Sequence, residues 1–245
     1  MTIRDKMLLM SLKFFEYLAR KQRKSYNSFW IQSIKYSKVV SSREEYMLKL
    51  SRDKNVVHIG FVDYPFTEQR LKTGGLFHLK LKTVAKNTLG VDVDKESIDT
   101  YIRITGDSNV LWASVYDLFE YKDLFREYEV FLMPEVIEHL DKPGLALENL
   151  YSVMPDNSLL VITTPNALKF NNFILSLAGV EAIHPDHVVL YTPYTLVNLV
   201  TRKGFDLVDF LFYIGKNSSS SYAKLFARYP YLSPGLIAVF KRSSE

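Results

Sequence analysis

The stretch MPEVIEHLDKP at residues 133–143 sets Glu135, Glu138 and His139 within five positions of one another. That is two carboxylates and an imidazole in a chain with only five histidines. Spaced i, i+3 and i+4, the three share one face if the segment is helical. Such a face suits general acid–base work or a hard divalent metal. It equally suits a helix start, where the dipole welcomes carboxylates and the histidine is merely hydrogen-bonded. Downstream, IHPDHVVLYTPYTL brings His184 and His187. His139, His184 and His187 all fall on connections, whereas His58 lies inside a strand-like run and His78 inside a helical one.

Whether these groups meet depends on the elements around them. From residue 55 short apolar runs alternate with helical spacing. NVVHIG, TLGVD, NVLWA, YEVFLM, SLLVITTP, FDLVDFLFY and GLIAVFKR read as strands. The segments between them through TTPN read as helices or connections, and PYTLVNLVTRKG as a helix closed by Gly204. Alternation of this kind implies right-handed crossovers and a Rossmann-like, mostly parallel seven-stranded sheet with helices on both faces. The two late strands without a good helix between them predict an antiparallel edge strand. Ligands of such sheets bind beyond the carboxyl ends of the strands, near the switch in strand order.

Each strand end then offers a residue. Gly60 ends the first and would let a nucleotide cofactor approach the backbone, or would simply end a strand; bulky Phe61 follows it. Asp92 ends the second, next to Val93, and could accept both hydroxyls of a ribose, while Asp94 suits a helix N-cap. Ser114 and Asp117 follow the third and could meet an adenine edge, although Asp117 also fits a turn. Asp92 lies 32 residues after Gly60, so FVDYPFTEQRLKTGG reads as an inserted loop able to close over a pocket.

Composition narrows the field. A length of 245 residues, 47% of them hydrophobic, supports one large α/β domain with a small appendage. With no cysteine, disulfides, thiolate nucleophiles and sulfur-based zinc sites are excluded. The net charge of +4 is mild, and ARKQRKSYNSFWIQSIKYSK reads as a solvated helix face, which makes nucleic acid an unfavoured partner. Apolar positions Leu8, Leu12, Phe15 and Leu18 predict an amphipathic helix within an N-terminal helical extension over 1–50, a homodimer element in a chain whose main domain spans 51–245. No apolar run reaches the ~20 residues of a membrane span, and none suits a signal peptide, so the reading is cytoplasmic.

Taken in order, these pieces resemble the class I S-adenosylmethionine-dependent methyltransferases over roughly residues 54–241. The resemblance is most specific in FLMPEVIEHLDKPGLALENLYSVMPDNSLLVITTPN and continues in HPDHVVLYTPYTLVNLVTRKGFDLVDF. It implies S-adenosylmethionine as cofactor, bound by Gly60, Phe61, Asp92, Val93, Ser114, Pro134 and Glu135. It is similar to the branch that methylates oxygens of sugars and small metabolites, which implies a small-molecule or sugar acceptor. His139 or His187 is then the expected base, with Glu138 orienting an imidazole and no metal required. Some relatives, among them RNA 3′-end methyltransferases, bind a divalent metal through an E-x-x-E-H run and a later histidine, here Glu135, Glu138, His139 and His187. Two departures from the family pattern stand out. Its G-x-G-x-G loop reads GFVDY here, and Ser114 replaces an acid. They keep open a non-catalytic binding protein on the same fold.

Overall fold

A computed structural model describes residues 34–215 and 220–243. The helix expected over 5–24, with the dimer role assigned to it, lies outside the described residues. In chain order the elements are β1 (Lys38–Val40), α1 (Arg43–Ser51), β2 (Asn55–Ile59), α2 (Thr67–Lys72), α3 (Phe77–Lys82), β3 (Asn87–Asp92), α4 (Lys95–Thr105) and β4 (Val110–Trp112). They continue as β5 (Val130–Pro134), α5 (Pro143–Val153), β6 (Leu159–Pro165), α6 (Phe170–Ser176), α7 (Pro193–Thr201), β7 (Phe205–Tyr213), α8 (Ser220–Arg228) and β8 (Gly235–Arg242).

Among the described residues the strands form one eight-stranded sheet in the order β1-β7-β8-β6-β5-β2-β3-β4. All neighbouring pairs are parallel except those of β8, which runs antiparallel to β6 and β7 and lies between them. The Rossmann-like α/β arrangement thus follows the expectation, with one strand more than the seven read from the sequence. The extra strand is β1, in the segment read as helical, where Lys38–Val40 pairs with Leu211–Tyr213. The next helix, α1, is capped by the Ser42 hydroxyl, which accepts from the Glu45 amide at 3.3 Å. It buries Met47 against Val56, Leu132, Val161 and Ile237. Residues from Lys35 onward therefore pack as one unit with the sheet. No helix among the described residues is long and apolar enough to cross a membrane.

The central strands carry near-continuous apolar runs because both faces of a parallel sheet are covered. Val56, Val57, Phe131, Leu132, Leu160 and Val161 are all fully buried. β2 sits between β3 on one side and β5 on the other. Strand order therefore reverses there, and the crevice lies beyond Ile59 and Pro134.

The segment expected to be a loop closing over the pocket is instead anchored. It holds α2, whose Leu71 packs with Phe61, Leu76, Ile98 and Tyr101 in a core of their own. Thr67, buried, donates to the Ser97 hydroxyl at 3.1 Å.

Beneath this segment two histidines are sealed from solvent. His58 and His78 set their Nδ1 atoms 3.1 Å apart, with Phe61, Phe77 and Tyr101 around them. Burial pushes His78 down to about 4 and lowers His58 well below its ordinary value, where the neighbouring ring adds to the effect. Once unfolded, both take up protons near pH 6.5. Below that pH the unfolded chain binds protons that the folded one refuses, so stability falls as pH drops from about 6.5 toward about 4. The expected slope is up to about 1.4 kcal/mol per pH unit for each histidine. Urea midpoints at pH 7.5 and 5.0 should differ markedly in the native chain and much less in His58→Val/His78→Leu. Equal pH dependence in both would rule out the pair as its source.

Candidate functional site

The stretch after β5 adopts a single 3₁₀ turn, Ile137–His139, in place of the α-helix that its spacing suggested. Two features stop a helix from starting. Pro134 is still in the sheet, paired with Thr163 of β6. Glu135 then takes φ +53°, the left-handed region, which costs a residue with a Cβ about 1–2 kcal/mol. Its side chain holds it there. Glu135 Oε2 meets Arg43 at 2.8 Å, and Oε1 accepts from the Thr163 hydroxyl at 2.9 Å and from Tyr213 at 3.4 Å. Arg43 also donates to Tyr213 Oη at 2.9 Å. The three residues expected to share one face are thus divided, with Glu135 engaged by Arg43.

Glu138 and His139 remain together and gain His187 from the later loop. The amides of Val188 and Val189 both donate to the Glu138 carbonyl, at 2.8 and 3.1 Å. That latch brings the His187 ring to 4.7 Å from the His139 ring, with His184 at 6.0 Å. One donor atom from each of Glu138, His139 and His187 lies within 4.8 Å of the others. Glu138 is fully buried, and neither of its oxygens has a hydrogen-bond partner. Burial, aided by the Glu135 charge, pushes its carboxyl up to about 8; Thr164 and the Glu138 amide, short of bonding geometry, counter this only in part. Burial and the neighbouring imidazoles lower His187. His139 is exposed, and its Nδ1 stands 3.1 Å from the Asp186 carbonyl. A carbonyl can only accept, so Nδ1 carries the proton and Nε2 is the free, basic nitrogen.

A cavity of about 430 Å³ opens at the switch in strand order, in the size range of cofactor sites. Gly60, Asp92, Val93, Ser114, Glu135 and His139 line it. Phe61 and Pro134 do not. The Phe61 ring turns into the core, over Gly90, where an added Cβ would lie 2.7 Å from it. The bulky residue in the loop therefore leaves the cavity clear. Gly60 has φ +73°, and a Cβ there would stand 2.5 Å from Val136 Cγ2. Two chain segments cross here without room for a methyl group.

The Asp92 carboxylate accepts from the amides of Val93 at 2.8 Å and Asp94 at 3.0 Å through Oδ1, and from Val62 at 3.2 Å through Oδ2. Burial pushes its pKa up against the pull of those amides. Of roughly four lone-pair positions three are taken, and Oδ2 has the spare capacity. Asp94 caps α4 as read, accepting from the Ser97 amide at 3.4 Å. The Ser114 hydroxyl is turned to its own loop, accepting from the Tyr116 amide at 3.1 Å.

Four contributors went unread in the sequence. Tyr116 donates to Asp141 at 2.7 Å across one wall of the cavity, a pairing over 25 positions with no local signature. Arg43 and Tyr213 reach Glu135 from the first and last thirds of the chain. Only the cap pattern Ser42-Arg43-Glu44-Glu45 marked that region, and it speaks of a helix start.

A family model described as a methyltransferase domain matches residues 72–209. No curated protein matches the chain. Among solved structures, an S-adenosylmethionine-dependent methyltransferase from Archaeoglobus fulgidus is 20% identical with a TM-score of 0.51, covering 80% of this chain and 90% of its own. The N-methyltransferase NodS from Bradyrhizobium japonicum, solved with S-adenosylhomocysteine, is 16% identical with a TM-score of 0.52, over 82% and 86% of the two chains. The small RNA methyltransferase HEN1 is 18% identical with a TM-score of 0.56, over 83% of this chain and 25% of that one. At these identities the structural likeness concerns the fold.

The Arg43–Glu135 pair generates a prediction of its own. Both side chains are partly buried, at 34% and 25% exposure, between the regimes of surface and interior pairs. Arg43→Ala should cost about 1–2 kcal/mol, and a double-mutant cycle with Glu135→Gln should show most of that as coupling. Additive effects of the two variants in urea unfolding would mean that Arg43 does not hold the turn.

Proposed function

Because the chain belongs to the methyltransferase domain family, we propose that it is a class I enzyme that moves a methyl group from S-adenosylmethionine to an oxygen of a small-molecule acceptor. The observation that supports this most is the single cavity shared by Gly60, Asp92, Ser114 and His139. The residues fit the cofactor: Gly60 lines the cavity without a side chain, and Asp92 Oδ2 can accept from a ribose hydroxyl. When bound, the cofactor supplies an electrophilic methyl group.

The chain's own part is to position and to accept a proton. Asp92 fixes the ribose, and the Tyr116–Asp141 bridge walls the cavity on one side. The free Nε2 of His139 takes the acceptor's proton at the cavity edge as its oxygen attacks. His187, whose pKa burial and the neighbouring imidazoles lower, stands behind as the alternative acceptor. Glu138 accompanies the pair as a buried group of high pKa.

A second reading has one observation in its favour. Glu138 offers two unpartnered oxygens beside two imidazoles. A divalent ion there would satisfy all three, and the mixed donor set suits Mn²⁺, Fe²⁺ or Zn²⁺ better than Mg²⁺.

Calorimetric titration with S-adenosylhomocysteine tests the first reading. The native chain should bind it, and Asp92→Ala should weaken binding by about 5- to 150-fold, the range of a buried acceptor lost. Unchanged affinity in Asp92→Ala would remove the ribose assignment. Methyl transfer should survive exhaustive chelation and fail in His139→Ala. Turnover that is lost on chelation and restored by Mn²⁺ would favour the metal reading, and full activity in His139→Ala would exclude the histidine as base.

A further inference from the structure

A second cavity, of about 440 Å³, shares no lining residue with the first. α6, the 181–190 loop and the Tyr231–Leu232 turn enclose it. Leu168, Phe173, Ile183, Leu190 and Leu232 make its lining largely apolar. A narrow cleft of about 50 Å³ leads from it to His184 and His187, and Asn172, Ala182, Ile183 and Leu190 line both spaces. The His187 ring touches that of His139, which lines the first cavity. Both cavities therefore border the His139–His187 pair, one through His139 and the other, by way of the cleft, through His187.

Two further observations bear on what belongs there. α6 buries none of its residues, and its surroundings leave Phe173, Ile174, Leu177 and Val180 at 45–73% exposure. A small helix with that composition gains little from facing water, and contiguous apolar surface of this kind marks a binding region. One polar handle interrupts the lining. Asn172 donates from Nδ2 to the Ala167 carbonyl at 3.2 Å, but its Oδ1 is shielded from solvent and has no partner. It can accept from a hydroxyl.

We infer that this cavity holds the methyl acceptor, and that the acceptor is a hydroxyl compound with an apolar alkyl or aryl body. The inference rests on the methyl-transfer reading and narrows its acceptor class, away from sugars. The apolar body fills the space between α6 and the loop. The hydroxyl enters the cleft past Asn172 and reaches the histidines. There its oxygen forms the new bond to the methyl carbon, the carbon–sulfur bond breaks, and the hydroxyl proton passes to an imidazole.

The experiment is calorimetric titration of the full chain with phenol, 4-butylphenol and 4-octylphenol, in the presence of saturating S-adenosylhomocysteine. Affinity should rise about fourfold per methylene while the cavity fills, the ratio that about 0.8 kcal/mol per buried CH₂ corresponds to. Ala182→Trp, on the exposed loop, blocks the space from its rim; it should weaken 4-octylphenol at least tenfold and leave S-adenosylhomocysteine unchanged. Affinity independent of chain length would overturn the inference. So would equal binding in Ala182→Trp, or displacement of S-adenosylhomocysteine by 4-octylphenol. Sedimentation with phosphatidylcholine vesicles, without 4-octylphenol binding, would make the apolar rim a membrane surface instead. Failure of the native chain to bind S-adenosylhomocysteine would sink the methyl-transfer reading by itself, since the alkylphenol series is then read without it.

Discussion

At the switch in strand order the chain leaving β2 and the chain leaving β5 cross so closely that a Cβ on Gly60 would stand 2.5 Å from Val136. Most of the site follows from that crossing. It sets Gly60 at positive φ, and it sends Glu135 into the left-handed region one residue beyond the sheet. A turn so placed cannot open into an α-helix. Glu138 is therefore carried inward, to complete burial, while His139 stays at the surface. The cavity at the switch opens beside this crossing, between it and the ends of β3 and β4.

A strained turn persists only if its surroundings over-determine it. Here they do so with charge. Arg43, Thr163 and Tyr213 grip the Glu135 carboxylate from three different elements: α1, β6 and β7. β1 and α1 bring the arginine, so the early segment contributes to the site by anchoring its most constrained residue. The grip also sets up the neighbour. A carboxylate fixed at Glu135 raises the cost of a second charge at Glu138, beyond what burial already imposes. The two acids of one short motif thus have divergent roles, one ionised in an ion pair and the other inclined to keep its proton.

Much of this was legible in the sequence and some was not, for identifiable reasons. The strands β2 to β8 were readable because buried β-branched runs bounded by turn residues leave little choice. Asp94 as a cap was readable because capping is local. Asp92, Gly60, Ser114 and His139 could be brought to one edge because α/β topology fixes where strand ends lie. The helical face of Glu135, Glu138 and His139 was misread, since spacing carries no information about a left-handed residue at its start. The inward turn of the Phe61 side chain was not legible, because it depends on Gly90 in the next strand, which leaves room for the ring. β1 is three residues long, one exposed and two half-buried, too short for alternation to show. Partnerships such as Arg43 with Glu135 exist only in the folded chain.

Transfer of a methyl group requires the attacking atom to approach from the side opposite the leaving sulfur. Under the proposed methyl transfer, two cavities that border one pair of imidazoles would let donor and acceptor enter from different sides. The latch between Val188, Val189 and the Glu138 carbonyl then acquires a role beyond packing. It ties the loop that walls the apolar cavity to the turn that walls the cavity at the strand-order switch. These two backbone hydrogen bonds therefore hold His187 beside His139, and with it the meeting place of the two walls.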